Sequence, residues 1–425
     1  MQKNDRTECG RNSGVIMTER EVVRDLARRY SEIAFSAETA QKTANWGRLN
    51  ALDASARPPI ILDQLPWHEF AGYEDLKCVC SDPFLRGIES YFRSELFRIR
   101  HFGADLILAP FYPLGKVYDD TGYGIATVNQ DESDHAGAQT HLFVDQLPDM
   151  ESLSKLKNRV ITAHPEETAR KKAEVEEVIG DLLEVRPTGT VIWAAVWDRI
   201  TFWKGAESCL YAVIDEPEFV HAMMKRFLEI EMDAIDQLEA QNLLAAGPGI
   251  KCHCVETYVD EDRFRAIDQS HIRAKDCWIA GAAQIFSEIS PAMHDEFEIE
   301  YMKPLYDRFG WVNYGCCEPL SQKIDIIRKM KTVRSISASP WTKVDAQAEA
   351  MGGDYVMLRK PNPAYVRSGS PDVDAVKKEI RATLSACRRN GTPVAFVLKD
   401  ITTVNSRAEG LTEWVDLVRA EIENS

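Results

Sequence analysis

Short runs of β-branched and apolar residues recur along the chain, separated by stretches in which apolar positions repeat at helical spacing. Eight such runs stand out: Pro59 to Asp63, Ala104 to Pro110, Thr190 to Trp197, Cys277 to Ala283, Trp311 to Cys317, Ser335 to Pro340, Tyr355 to Arg359 and Ala395 to Lys399. Helical patterns lie between most of them, at Pro217 to Glu239, Pro291 to Arg308, Leu320 to Met330, Val344 to Met351 and Val373 to Arg389. Eight strands alternating with helices predict an α/β fold, a parallel (β/α)₈ TIM barrel, with a doubly wound open sheet as the alternative. Ahead of the first strand, Thr18-Glu19-Arg20-Glu21 has the form of a capping box, and Val22, Val23, Leu26, Tyr30 and Ile33 follow on one helical face. The pattern therefore predicts a polar tail over 1–17 and a single barrel domain over 18–425 with an N-terminal helical extension. Two intervals, 111–189 and 240–276, exceed what a crossover needs and predict insertions over the barrel mouth.

Composition narrows the partners. The chain has 425 residues, of which 44% are hydrophobic and 28% charged, as in a soluble globular protein. A balance of 51 Lys and Arg against 67 Asp and Glu gives a net charge of −16, which opposes binding to nucleic acid or to an anionic membrane. The 10 cysteines sit partly in close pairs (Cys78 and Cys80, Cys252 and Cys254, Cys316 and Cys317) in a chain too large for a small disulfide framework. They read as reduced thiols, with a cytoplasmic location as the expectation. No segment approaches the roughly twenty apolar residues of a membrane span, and Met1 to Val15 lacks the apolar centre of a signal peptide. A homodimer is compatible with this composition.

In a barrel the chemistry lies where the strands end. The residues there are Asp63 with Trp67, His68 and Glu69; Tyr112; Trp197 with Asp198; Gln284; Cys316, Cys317 and Glu318; Trp341; Lys360; and Lys399 with Asp400. Two adjacent thiols beside a carboxylate form the densest of these groups and suggest a soft metal. Two small buried cysteines closing a core strand are the bland alternative. Lys251-Cys252-His253-Cys254 offers one more ligand, Cys254; alternate residues of an extended chain face opposite ways, so His253 and Cys254 are not expected to serve one ion together. Dinucleotide, P-loop and Gly-x-Ser-x-Gly patterns do not occur, which disfavours NAD binding, ATP use and serine hydrolysis.

Several segments carry a family likeness: Ala283-Gln284 through Ser290-Pro291-Ala292-Met293-His294, Tyr314-Gly315-Cys316-Cys317-Glu318-Pro319-Leu320, Ser337-Ala338-Ser339-Pro340-Trp341, Lys360-Pro361-Asn362-Pro363 and Leu398-Lys399-Asp400-Ile401-Thr402. Together they resemble the uroporphyrinogen decarboxylase superfamily, and within it the cobalamin (corrinoid)-dependent methyltransferase branch, over roughly residues 190 to 420. The resemblance implies a (β/α)₈ barrel with zinc at its mouth and a methyl group exchanged with a separate corrinoid-binding protein. The usual zinc motif of that branch is His-x-Cys on the fifth strand with another cysteine after the eighth. Here Cys317 matches the first cysteine, Gly315 stands at the histidine position, and Lys399 and Asp400 occupy the eighth-strand site. The implied metal ligands are therefore Cys317 and Glu318 with Asp400 or Cys254.

On this reading the protein is a demethylating methyltransferase that passes a methyl group from a small donor, such as a phenyl methyl ether or a methylamine, to cob(I)alamin on its partner. His68 or Glu69 would give the leaving group its proton, and Glu318 would share in the chemistry. Trp67, Tyr112, Trp197 and Trp341 would form an aromatic pocket, with Gln284 and Lys360 as further substrate contacts. Two other readings use the same residues: a decarboxylase or lyase acting on a small carboxylate, with Lys360 and Lys399 holding the anion, and a non-catalytic binding protein.

Overall fold

The computed structural model describes residues 17–135, 138–259 and 266–425. The tail expected over 1–17 lies outside them except for Met17. The first helix, α1 (Glu19–Ala34), begins where the capping box places it: the Glu21 amide donates to Thr18 Oγ1 at 3.3 Å, and the Thr18 amide donates to Glu21 Oε2 at 2.7 Å. A second helix, α2 (Ala37–Asn50), follows at once and is capped by Ser36.

Seven strands form the main sheet: β1 (Ile60–Leu62), β2 (Ile192–Trp193), β3 (Trp278–Gly281), β4 (Trp311–Tyr314), β5 (Val333–Ala338), β6 (Val356–Arg359) and β7 (Val394–Leu398). Their order is β1-β7-β6-β5-β4-β3-β2, and every pairing is parallel. Seven of the eight expected strands are thus present and in the sequence of neighbours a barrel requires. The sheet is nevertheless not closed between β1 and β2. The missing run, Ala104 to Pro110, lies in the expected place without making a ladder. Only Asp105 ties it to β1, donating from its amide to the Ile60 oxygen and accepting the Ile60 amide on its carboxylate, each at 2.8 Å. Side-chain alternation in this run is still that of a barrel strand. Ile107 joins the inner cluster, while Leu106 and Leu108 pack with Val23 and Leu26 of α1. Periodicity reports which face each residue takes; it does not report whether the backbone reaches its neighbour.

The sheet buries both faces, with period two throughout. Ile279, Val312, Met357, Phe396 and Leu398 pack on the surrounding helices. Trp278, Ala280, Val356, Leu358, Ala395 and Val397 face the other way. That inner face is filled by Trp46 and Leu49 of α2 and by Cys252, Val255 and Tyr258. The latter residues belong to a hairpin in which Lys251–Cys252 pairs antiparallel with Val255–Glu256. Asn50 holds it there, donating to the carbonyls of Glu256 at 2.9 Å and Tyr258 at 2.6 Å. The insertion expected over 240–276 therefore enters the barrel instead of merely covering it. The other insertion forms small paired strands, including Tyr112–Gly115 beside Val185–Thr188, and a helix at Pro165–Ile179.

Helix boundaries agree with the pattern at Pro217–Ala240, Val344–Met351 and Val373–Asn390. The expected helix from Leu320 to Met330 is reduced to Ile324–Ile327, and the one from Pro291 opens into a wider π turn over Asp295–Ile299. Among the described residues no helix is long and apolar enough to cross a membrane.

Trp46 is fully buried in the trough of the sheet and has no hydrogen-bond partner for its indole nitrogen, so its contribution is one of volume and apolar contact. Trp46→Ala is expected to lower the unfolding free energy by about 3–5 kcal/mol in denaturant titration. A loss under about 1 kcal/mol would show that the inner cluster does not support the sheet.

Candidate active site

The mouth of the sheet is organised by a backbone feature. Gly315, immediately after β4, has φ +88°, and a Cβ there would come 2.4 Å from Leu320 Cδ1. The position thus selects glycine both by conformation and by space. Its amide donates to the Gly281 oxygen and its carbonyl accepts from Ser337 Oγ, each at 2.7 Å, which fixes the turn that follows. That turn directs Cys316 inward and leaves Cys317 half-buried beside it. A histidine could not replace Gly315 without moving Leu320.

Cys316, 4% exposed, is the centre of the site. Its sulfur lies 3.1 Å from Lys399 Nζ, 3.6 Å from Cys317 Sγ and 3.7 Å from His253 Nε2. Lys360 Nζ donates to the Cys316 carbonyl at 2.8 Å. Cys317 in turn faces Asp400 Oδ2 at 3.6 Å, and Lys399 Nζ lies 3.5 Å from both Asp400 Oδ2 and His253 Nε2. These groups come from four elements: the loops after β4, β6 and β7, and the tip of the 251–256 hairpin. Both His253, φ +55°, and Asp400, φ +56°, take left-handed backbone conformations. Such conformations are costly for residues with side chains, and they gather at sites that need a side chain aimed against the local grain.

The electrostatics follow from this geometry. The Cys317 thiol donates to Cys316, and with His253 and the charges of Lys360 and Lys399 it outweighs burial and holds the Cys316 pKa far below the ordinary thiol value. For Cys317 the direction reverses, because it supplies that hydrogen bond, is itself desolvated and faces two anions. Burial opposes charge on His253, but its interactions with Cys254 and Cys316 raise it to about 9. Burial likewise works against the Lys399 ammonium, and the negative charges of Cys316 and Asp400 raise its pKa nonetheless. Desolvation pushes Glu318 up to about 7, although its carboxylate accepts the amides of Cys316 at 2.9 Å and Ala283 at 3.3 Å. Asp198 is raised to about 6, again by burial, while both its oxygens accept from Gln284, at 2.9 Å from the amide and 2.5 Å from the side chain. The arrangement places a buried thiol whose ionisation is favoured beside the Lys399 amine and the His253 imidazole.

The expected site residues divide accordingly. Cys317, Glu318, Asp400 and Lys360 stand around Cys316. Gln284 is held by Asp198 through its amide and its side chain. Cys254 is adjacent but packs into the inner cluster with Trp46 and Ile61; burial opposes its ionisation, and His253 and Lys360 lower its pKa all the same. The aromatic pocket is not assembled. Trp197 is fully buried, lies against Phe286 and donates its indole N–H to the Phe297 oxygen at 3.0 Å. Trp341 is 73% exposed, and Tyr112 packs on Tyr91 and Phe92 beside a strand outside the main sheet. Trp67 is exposed against Phe70 and Phe97. Glu69 is a loop staple, accepting from Thr403 Oγ1 and from the amides of Val404 at 2.8 Å and Ser406 at 2.9 Å, and His68 beside it is exposed. One cause is common to these residues: the helix or turn after each strand sets the direction of its side chains, and position at a strand end does not.

Two residues at the site, His253 and Trp193, are not among the strand-end candidates. His253 reaches the site because the hairpin enters the barrel, and Trp193 follows it, its ring 4.8 Å from the imidazole. Lys399, expected to hold a substrate anion, instead meets the Cys316 sulfur at 3.1 Å. The alternation that separated His253 from Cys254 was the available signal.

Nor do the residues present fit the implied zinc. Among the described residues no group of three or more His, Cys, Asp or Glu side chains is placed to hold a metal ion. Both Glu318 oxygens are taken by backbone amides, Cys254 faces the inner cluster, and the Lys399 ammonium stands beside Cys316 and His253.

The Glu318 shift has a sign that can be checked. A carboxyl raised from 4.5 to about 7 binds its proton more tightly in the folded than in the unfolded chain, so stability falls as pH rises across that window. Asp198 acts in the same direction from 3.8 to about 6. Replacing the carboxyl in Glu318→Gln is expected to flatten the stability curve between pH 4.5 and 7, measured by denaturant titration. An unchanged slope would show that Glu318 is not the buried acid.

Comparisons with known proteins add little to this geometry. No family model and no curated protein matches the sequence. Among solved structures, a methyltransferase from Methanosarcina mazei is similar with a TM-score of 0.48 and 10% identity, over 89% of this chain and 98% of that one.

Proposed function

We propose that this chain is a methyltransferase that moves a methyl group from a small methylated donor to the reduced corrinoid, cob(I)alamin, of a separate carrier protein. The observation that carries this reading is the convergence of four segments. Gly315–Leu320, Ser337–Trp341, Lys360–Pro363 and Leu398–Thr402, whose residues carry the family resemblance, end or follow the neighbouring strands β4, β5, β6 and β7. They are joined through Ser337 Oγ to the Gly315 carbonyl, Lys360 Nζ to the Cys316 carbonyl, and Lys399 Nζ to the Cys316 sulfur.

Methyl transfer from oxygen or nitrogen needs help for the leaving group, by a proton or by fixed positive charge. His253, protonated at neutral pH with its pKa near 9, and Lys399 supply both in a desolvated site. Of the two donor classes, a phenyl methyl ether fits better. Its oxygen gains negative charge as it leaves, which the ammonium and imidazolium favour, whereas a methylammonium would be brought against like charges. Trp193 offers the ring a stacking surface beside His253. In the lyase reading Lys360 and Lys399 would clamp a carboxylate, yet Lys360 Nζ is already held by the Cys316 carbonyl.

Incubation of the full chain with chemically reduced cobalamin and a panel of methyl ethers, amines and thioethers tests the proposal through the visible spectrum of methylcobalamin. An aryl methyl ether is expected to be the active class, and His253→Gln is expected to lower the rate at least about a hundredfold. No methylcobalamin from any donor would overturn the reading.

A further inference from the structure

Lys399 Nζ stands among four potential donor side chains that are not placed to hold a metal ion. Going round the site, His253 Nε2, Cys316 Sγ, Cys317 Sγ and Asp400 Oδ2 follow one another at 3.7, 3.6 and 3.6 Å. Ligand atoms of tetrahedral zinc are about 3.5–3.8 Å apart, as bond lengths of about 2.1 Å to nitrogen and 2.3 Å to sulfur require. The donors thus have metal-like spacing without closing around a common point, and the charge among them belongs to a side chain. Lys399 Nζ is 3.1 Å from Cys316 Sγ and 3.5 Å from both His253 Nε2 and Asp400 Oδ2.

We propose that Lys399 is the resident cation of this site, paired with the Cys316 sulfur between His253 and Asp400, so that Cys316 works as a metal-free thiolate. Several features support it. Lys399 is 3% exposed, so its charge must be met inside the protein, and Cys316 and Asp400 are the groups that meet it. Its place is set by the backbone: it follows β7 directly, and the left-handed Asp400 turns the chain away after it. The other ionisable groups facing Cys316 are consistent with a sulfur anion: Cys317 as hydrogen-bond donor, His253 from the hairpin and Lys360 after β6. The acids nearby are restrained. Glu318 and Asp198 are raised by burial, and Asp400 lies 3.5 Å from the Lys399 ammonium and 3.6 Å from the Cys317 sulfur. An ammonium differs from zinc in having no open coordination position, so it acts on a substrate only by charge and hydrogen bonding.

This inference rests on the proposed methyl transfer only for the use to which the cation is put, and its test reads metal content and ionisation, so the two can fail separately. The purified full chain and its variants are incubated with excess zinc, dialysed and assayed for bound metal. Wild type, Cys316→Ser, Lys399→Arg and Lys399→Ala are expected to retain equally little zinc, because the donors do not close around a common point. A zinc held by wild type and lost in Cys316→Ser would overturn the proposal, as would a folded Lys399→Ala that keeps the wild-type thiolate absorbance at neutral pH. Independently of any Lys399 variant, ultraviolet thiolate absorbance at neutral pH is compared between wild type and Cys316→Ser. A thiolate present only in wild type is expected; equal absorbance would overturn the proposal.

Discussion

A sulfur anion buried at the end of a parallel sheet has to be surrounded by positive charge, and that requirement organises the mouth of this fold. Taking charges out of water costs several kcal/mol per ion unless partners are placed in good geometry. Here the partners of Cys316 arrive from separate elements: Lys360 after β6, Lys399 after β7 and His253 from an inserted hairpin. None is near another in sequence except through the sheet order that makes β6 and β7 neighbours. Removing one partner would leave the rest as uncompensated buried charge, so the cluster stands or falls together.

The hairpin explains why the sheet can remain open. A closed eight-stranded barrel fills its interior with its own side chains. In this chain the interior is shared with α2 and residues 251–258, through Trp46, Leu49, Cys252, Val255 and Tyr258. The same intrusion carries His253 to the sulfur. Beneath the site, a buried network in which Tyr314 donates to Glu298 at 2.9 Å and meets His294 at 2.8 Å anchors the end of β4 just before Gly315. Core and site are thus continuous, and the glycine turn is the joint between them.

Strand existence and facing were legible in the sequence because burial on both sides imposes an alternation that composition reveals. The Cys316-Cys317-Glu318 strand end was legible too, as a dense group of soft and acidic ligands at the end of an apolar run. Which thiol matters was not, since that depends on the left-handed turn at Gly315, a torsion that the residue type permits without dictating. Nor was the role of Lys399, because a lysine after a strand looks the same whether it meets a substrate or a neighbouring sulfur. Trp197 illustrates the opposite error. It ends a β-rich run, but the chain has already entered the helix Val196–Lys204, which turns the indole into the core.

The central claim is that Cys316 and Lys399 form a charge pair on which the site depends, and a double-mutant cycle tests it most directly. Unfolding free energies of wild type, Cys316→Ser, Lys399→Met and the double variant give the interaction free of each residue's separate contribution. Strong coupling is expected, on the order of 1–3 kcal/mol, with the double variant far less destabilised than the sum of the single ones. Additive effects within about 0.5 kcal/mol would contradict it.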